Sequence, residues 1–297
     1  MSLAIAACSG NAEATPTVTV APTAEPTQAI HTPTQQPTVM PTVAPAVPTP
    51  TPTTVPTIAP TWTPTVTPVP PTPTSVPPTP TPTEIPYPAE FSFEDRFENG
   101  VDGWVVGFAD LPVDWNNEIY ELDSEFRQMP DGLDGSGIYV QGHNRSDDLF
   151  MYLSKEVSGL KPNTSYEVSI ALDLATNVPG GMMGIGGSPG DSVYVKAGAS
   201  SNEPTVSEDN IGHLRLNVDK GNQSTSGSEM TVIGNVTNFS VLNDEFKIKT
   251  LENTGRTVTV SSDEEGRIWV LVGTDSGFEG LSAFYYSAIR YQLTVTE

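Results

Sequence analysis

The chain has 297 residues and a net charge of −23, with 36 acidic residues against 13 basic ones. Binding to nucleic acid, or to anionic lipid through a polybasic patch, requires clustered Lys and Arg, so this balance argues against both functions. There is one cysteine, Cys8, so an internal disulfide is excluded.

The first eight residues resemble the end of a bacterial lipoprotein signal. The stretch from Leu3 to Ala7 is apolar and small, and I-A-A-C resembles a lipobox, whose cysteine is acylated and becomes the mature N-terminus. A basic n-region and a full apolar core are missing, so 1–8 reads as a truncated signal. We expect Cys8 to be the lipidation site once a complete signal precedes it. The alternative is an incidental free thiol.

Residues 9–90 are rich in Thr and Pro and predict a disordered stalk. Of the 29 prolines, 23 precede residue 91, and each of these fixes φ and lacks a backbone donor. The segment has no apolar periodicity, so it cannot bury enough surface to offset the entropy of ordering the chain. We expect a semi-rigid extended spacer, and the composition also resembles that of O-glycosylated stalks.

Residues 91–297 carry strand signals and should form one domain. In the stretch 91–104, phenylalanines at odd positions would share one face of a strand, and glycines mark a turn before Trp104. This phrase, F-E-D-x-F-E-x-G-x-x-G-W, resembles the opening strand of jelly-roll modules among carbohydrate-binding modules and galactose-binding-like domains. The phrase V-x-G-L-x-P-N-T-x-Y-x-V at 157–168 resembles a turn and strand that recur in sugar-binding and fibronectin-like β domains. The stretch 266–291 resembles the closing strand pair of jelly-roll modules.

The predicted fold is therefore an all-β, two-sheet jelly-roll sandwich preceded by a long disordered stalk. Most of 104–120 reads as loop. Strands are expected at 118–122, 137–141, 148–157, 191–199, 211–218, 230–236, 246–251, 256–261, 267–273 and 283–295.

Sugar sites pair exposed aromatic rings with polar side chains, and one loop offers that combination. Trp115 stands between Asp114 and Asn116, and Tyr120 is near in sequence. We take these four as candidate ligand-binding residues. The alternative is that Trp115 packs over the edge of the sandwich. Trp104 and Trp269 lie in strand patterns and are expected in the core.

A structural calcium is a further expectation, because many of the modules that the chain resembles hold one near the first and last strands. Glu94 and Asp95 match the acidic position of the opening phrase, whereas Ser287 stands where the closing strand would supply a carboxylate. Asp275 and Glu279 form an alternative acidic loop. The other alternative is an acidic surface without metal.

No catalytic signature is present. The glycine-rich stretch 178–191 lacks the Gly-Lys-Ser/Thr ending of a phosphate loop, and Ser188 does not stand in a G-x-S-x-G motif. His143 opens the densest polar cluster, 143–148, but no zinc-ligand spacing occurs. With 32 acids in the domain, a pair of carboxylates is expected by chance, so it does not indicate a glycosidase.

These observations predict a lipid-anchored, non-catalytic binding module on the extracellular face of the membrane, or a secreted one, with carbohydrate as the expected ligand. The alternative is a structural or adhesive cell-envelope protein that makes protein contacts, with calcium as a structural ion.

Overall fold

The computed structural model describes residues 86–296. The predictions for Cys8 and for the stalk as far as residue 85 lie outside the described residues. The described part is almost entirely antiparallel strand. Its strands are β1 Glu90–Arg96, β2 Val105–Ala109, β3 Leu111–Pro112, β4 Asp123–Gln128, β5 Ser136–His143, β6 Leu149–Val157, β7 Ser165–Thr176, β8 Val193–Ser200, β9 Val206–Glu208, β10 His213–Leu216, β11 Met230–Asn235, β12 Lys247–Glu252, β13 Val258–Ser261, β14 Ile268–Ser276 and β15 Leu281–Val295. A single short helix, α1, spans Asn117–Tyr120 in this part of the chain.

Two large sheets form the sandwich that the sequence predicted. The seven-stranded sheet has the order β12-β7-β15-β5-β4, with β1 added on β15 and β13 on β7. The five-stranded sheet has the order β11-β8-β14-β6-β2. A small third sheet, β3-β10-β9, lies beside them.

The main core lies between the two large sheets. In β7, residues at even positions from Tyr166 to Leu174 are buried, and those at odd positions are more exposed. This period of two follows from the strand geometry, which sends successive side chains to opposite faces. Tyr286 of β15 and Leu153 of β6 fill the core from the two sheets. Trp104 is buried there too, as predicted.

Two sequence predictions of local structure are wrong. The stretch 104–120 was expected to be mainly loop, yet it contains β2 and β3. The stretch 118–122 was expected to be a strand, yet α1 forms there because Asn116 caps it: its Oδ1 accepts a hydrogen bond from the N–H of Glu118 at 2.9 Å. Glu121 then ends the helix in the left-handed region, with φ of 49°.

Residues 201–229 connect β8 to β11 and include β9 and β10; we call this segment the cover. Its side chains Val206, Leu216 and Val218 pack with Phe150 and Leu271 in a second apolar cluster, separate from the main core. Trp269, which was predicted in the core, is half-buried and packs against this second cluster. No helix in the described part is long and apolar enough to span a membrane.

Candidate functional site

A groove of about 640 Å³ runs along one edge of the sandwich. It lies where the edge strand of each large sheet, β2 in one and β4 in the other, leaves the sandwich open. The small sheet forms another wall of it. Residues from all of these elements line the groove: Phe108, Leu111, Trp115, Asn117, Leu122, Asp123, Ser124, Val206 and Leu214. We call it the edge groove.

The edge groove combines apolar and polar lining groups. Five of its residues are aliphatic or phenylalanine side chains, while Asn117, Asp123 and Ser124 supply polar groups. Asp123 also pairs with Arg127 at 2.9 Å, an exposed pair that leaves the carboxylate accessible. An apolar cavity with a few polar groups, in the range of about 300–1,000 Å³, is typical of small-molecule sites.

Trp115 is the exposed aromatic residue of this groove. The residue is 38% exposed, and its backbone N–H donates to the carbonyl of Pro112 at 3.2 Å, which fixes the turn that presents the ring. The ring therefore packs at the sandwich edge and offers a surface to solvent at the same time. Ligand binding by Trp115 stays a prediction.

The other three predicted ligand-binding residues are placed differently. Tyr120 is 6% exposed and belongs to the main core, so its ring cannot serve as a second sugar platform. Asn116 is exposed, but its Oδ1 is engaged in capping α1. Asp114 is exposed and does not line the edge groove. The sequence missed Asn117 and Asp123, which do line it.

The two predicted calcium ligands stand on successive residues of β1 and point to opposite faces. Glu94 pairs with Arg96 at 2.7 Å on the outer face. Asp95 Oδ2 accepts hydrogen bonds from Trp104 Nε1 at 2.9 Å and from Lys155 Nζ at 2.7 Å. Both residues line a polar depression of about 320 Å³, and calcium there stays a prediction.

A buried ionic cluster lies between the five-stranded sheet and the cover. Carboxylate oxygens of Asp110, Asp148 and Asp275 lie within 4.8 Å of one another. Lys196 Nζ and Lys220 Nζ each approach Asp275 Oδ2 at 2.8 Å, and Lys220 Nζ also approaches Asp110 Oδ2 at 2.7 Å. The side chains of Lys196 and Asp275 are fully buried. The carboxylate of Asp275 faces these lysines, and calcium at the alternative loop of Asp275 and Glu279 stays a prediction.

The three carboxyl groups differ in their electrostatic surroundings. Burial, followed by the charges of Asp275 and Asp110, raises the pKa of Asp148 to about 8. Burial also opposes ionisation of Asp275, but the ammonium groups of Lys220 and Lys196 outweigh it and hold the pKa of Asp275 below its ordinary value. At neutral pH the cluster therefore holds a protonated Asp148 beside an ionised Asp275.

Sequence reasoning could not assemble this cluster. Asp148 belongs to the polar run 143–148, but nothing in that run indicates a partner. Asp110 precedes β3 and Asp275 lies in β14, so the three meet only through the pairing of β2, β6 and β14. The one available signal is an acid in an otherwise apolar strand, as at Asp275.

No protein-family model and no curated protein matches the chain. Solved structures do match. One is a carbohydrate-binding module of the β-sandwich superfamily, described for promiscuous specificity, with 10% identity, a TM-score of 0.30 and coverage of 68% of this chain and 60% of that one. A family 11 carbohydrate-binding module from a cellulosomal cellulase of Clostridium thermocellum has 8% identity, a TM-score of 0.30 and coverage of 69% and 95%.

The enzymatically active domain of a bacteriophage CBA120 tailspike protein also matches, with 10% identity, a TM-score of 0.29 and coverage of 68% of this chain. The chain spans 60% of the length of the first module and 20% of that of the tailspike protein. The neighbours thus include carbohydrate-binding modules with a β-sandwich fold. At these identities and TM-scores, the similarity gives no argument about function. A function must therefore be inferred from the edge groove.

Proposed function

We propose that this protein is a non-catalytic module that binds carbohydrate in the edge groove. The observation that carries the proposal is the half-exposed ring of Trp115 at a groove with an apolar floor and polar groups at Asn117, Asp123 and Ser124. A sugar ring has an apolar face and a polar rim of hydroxyl groups. The apolar face would stack on the indole ring, and the hydroxyls would exchange hydrogen bonds with the polar groups.

A binding role without turnover is supported by the state of the acidic residues that meet in space. Carboxylates of Asp110, Asp148 and Asp275 meet within 4.8 Å, but Asp275 is fully buried under the cover and bound by two lysines. A polysaccharide could not reach it. Asp123, at the edge groove, pairs with Arg127 and offers a hydrogen-bond acceptor for a hydroxyl group.

The proposal includes anchoring outside the cell. Cys8, acylated after removal of a complete signal, would attach the chain to the membrane, and the Thr/Pro stalk would carry the module away from it. Such a stalk would let the module reach a ligand that lies away from the membrane surface. Labelling with a fatty acid in cells tests this part, and a Cys8→Ser variant should lose the label.

The binding proposal is tested on a glycan array followed by calorimetry with the best oligosaccharide. We expect the Trp115→Ala variant to lose at least about tenfold in affinity, because stacking an aromatic side chain is worth about 1.5–3 kcal/mol when it becomes fully buried. The matched control is Phe239→Ala. Phe239 is 84% exposed in the loop between β11 and β12, away from the edge groove, so affinity should not change.

Three results would contradict the proposal. Equal affinity of wild type and the Trp115→Ala variant would remove the edge groove from the binding site. Binding to envelope proteins with no response from glycans would support the structural or adhesive alternative. Release of sugar from a polysaccharide would show that the module is an enzyme.

A further inference from the structure

The cover is attached to the sandwich through the ionic cluster as well as through the second apolar cluster. Lys196 Nζ, from β8, donates to the carbonyl oxygens of Lys220 and Thr225 at 2.7 and 3.1 Å. The N–H of Gln223 donates to Asp275 Oδ2 at 2.9 Å. Arg215 Nη1 donates to Asp110 Oδ1 at 2.6 Å. Charged side chains of the sandwich and of the cover both take part in these contacts.

In the described part of the chain, three buried carboxylate oxygens of this cluster have no hydrogen-bond partner: Asp110 Oδ2, Asp148 Oδ1 and Asp275 Oδ1. Lys220 Nζ lies 2.7 Å from the first of them, whereas the other two are left without a donor. Unpaired buried acceptors are costly, and two facing carboxylates repel each other when both are ionised. One proton on Asp148 removes the repulsion and supplies a donor.

Charged groups surround Asp148. Asp110, Asp275, Lys196, Lys220 and Arg215 face it, Arg215 also pairs with Asp209 at 3.1 Å, and Asp219 lines the same depression. Among these groups, the carboxylates of Asp275 and Asp110 oppose the ionisation of Asp148.

The cover also forms part of the edge groove. Val206 of β9 and Leu214 of β10 line the groove, and Leu214 pairs with Leu111 of β3 in the small sheet. The N–H of Asp110 donates to the carbonyl of Leu214 at 2.7 Å. A loosened cover would therefore lose one wall of the groove.

We propose that the proton shared by Asp148 and Asp275 is a switch that holds the cover closed in acid and loosens it as the pH rises, which tunes ligand binding in the edge groove. The tuning rests on the proposed function, whereas the closing of the cover does not. The device makes the module bind its ligand more tightly in mildly acidic surroundings than in alkaline ones.

The pH window follows from the two states of Asp148. In the closed cover its pKa is about 8, and in an open, solvated cover it would return toward its ordinary value of about 4. The closed state therefore binds the extra proton between these values. The equilibrium constant for opening rises about tenfold per pH unit from about pH 4 to pH 8 and is level above that.

The test is amide hydrogen exchange of the full chain between pH 5 and 9, read as protection factors in 201–229. We expect wild-type protection to fall about a hundredfold from pH 5 to pH 7. The Asp148→Asn variant keeps a neutral, hydrogen-bonding side chain and should show a much flatter profile.

The matched control is Asp147→Asn. Asp147 is the exposed neighbour of Asp148 and has φ of 68°, a conformation that asparagine tolerates well. This variant should follow the wild type. A wild-type protection profile without pH dependence, or the same slope in the Asp148→Asn variant, would overturn the switch.

A second measurement covers the case in which the Asp148→Asn variant does not fold. Carboxyl ¹³C NMR of the wild type reads the titration of Asp148 directly, and an apparent pKa below 5 would overturn the proposal. Ligand affinity as a function of pH completes the test. Exchange that follows the prediction while no glycan binds would leave the switch standing and reject the carbohydrate function alone.

Discussion

Leu214 and Arg215 are consecutive residues of β10, and their side chains lie in two different sites. Leu214 lines the edge groove, while Arg215 reaches Asp110 in the buried ionic cluster. This follows from the alternation of side chains along a strand. The strand therefore joins the groove to the charges beneath the cover without any intervening loop.

Replacing Arg215 should weaken ligand binding although Arg215 does not line the edge groove. In an Arg215→Gln variant, Asp110 and Asp209 lose their shared guanidinium, and β10 is held less firmly against β3. We expect affinity to fall severalfold by calorimetry, with little change in far-UV circular dichroism. Arg256→Gln, an exposed arginine between β12 and β13, is the control and should bind like wild type. Unchanged affinity in both variants would show that the groove is independent of the cluster.

Asn253 lies between β12 and β13, and its side chain hydrogen-bonds to β7 where the pairing of β7 changes from one of these strands to the other. Its Oδ1 accepts from the N–H of Ile170 at 2.7 Å, and its Nδ2 donates to the carbonyl of Val168 at 3.1 Å. The side chain is 1% exposed, so an Asn253→Ala variant would leave two buried backbone groups of β7 unpaired. We expect a loss of about 2–4 kcal/mol in the free energy of unfolding, measured in urea. The exposed Asn243→Ala should be nearly neutral, and an equal loss in both variants would contradict this role.

Lys196 is expected to be among the most sensitive charged positions. A Lys196→Met variant removes a fully buried cation and leaves the carbonyls of Lys220 and Thr225 without their donor. Breaking a buried ion pair from one side costs about 3–5 kcal/mol, which should appear as a lower urea midpoint. Lys247→Met, on the exposed face of β12, provides the control. A stable Lys196→Met variant would mean that the cluster contributes little to folding.

Asp173 should affect stability at the opposite end of the pH scale from Asp148. Hydrogen bonds from Arg290, at 2.8 and 2.9 Å, hold the pKa of Asp173 below its ordinary value despite partial burial. Stabilisation from a lowered pKa is present above the ordinary value, about 4, and is lost as the pH falls through the folded value.

An Arg290→Gln variant should therefore be less stable than wild type at pH 7, by about 0.5–1 kcal/mol after screening by solvent. The difference should shrink as the pH falls toward 2, because protonation of Asp173 removes the charge with which Arg290 pairs. Thermal unfolding at the two pH values measures this. A difference that persists at pH 2 would indicate that Arg290 stabilises the sheet by packing.

The sandwich was predictable because its signals are local. Alternation of apolar residues marks β7 and β15 in the sequence, and the turn glycines separate the strands. Trp115 could be singled out as an exposed ring in polar company. Tyr120 could not be assigned correctly, since its burial depends on how α1, a one-turn helix, docks against the core.

The ionic cluster could not be predicted from local sequence patterns. Asp110, Asp148 and Asp275 are separated by long stretches of chain, and the pairing of β6 with both β2 and β14 brings them together. Charge alone gave no guide, because acids are abundant throughout the domain. Only the register of three strands distinguishes these acids from those at the surface.

The pairing of β15 affects how the chain folds during synthesis. This 15-residue strand pairs with β1, β5 and β7, so the partner of Glu90 in β1 is Thr294, about 200 residues later. During synthesis these three strands leave the ribosome without their common neighbour. Such long-range pairing makes folding slow, and the unpaired edges are open to aggregation in the meantime. We expect the growing chain to need chaperones until β15 has been made.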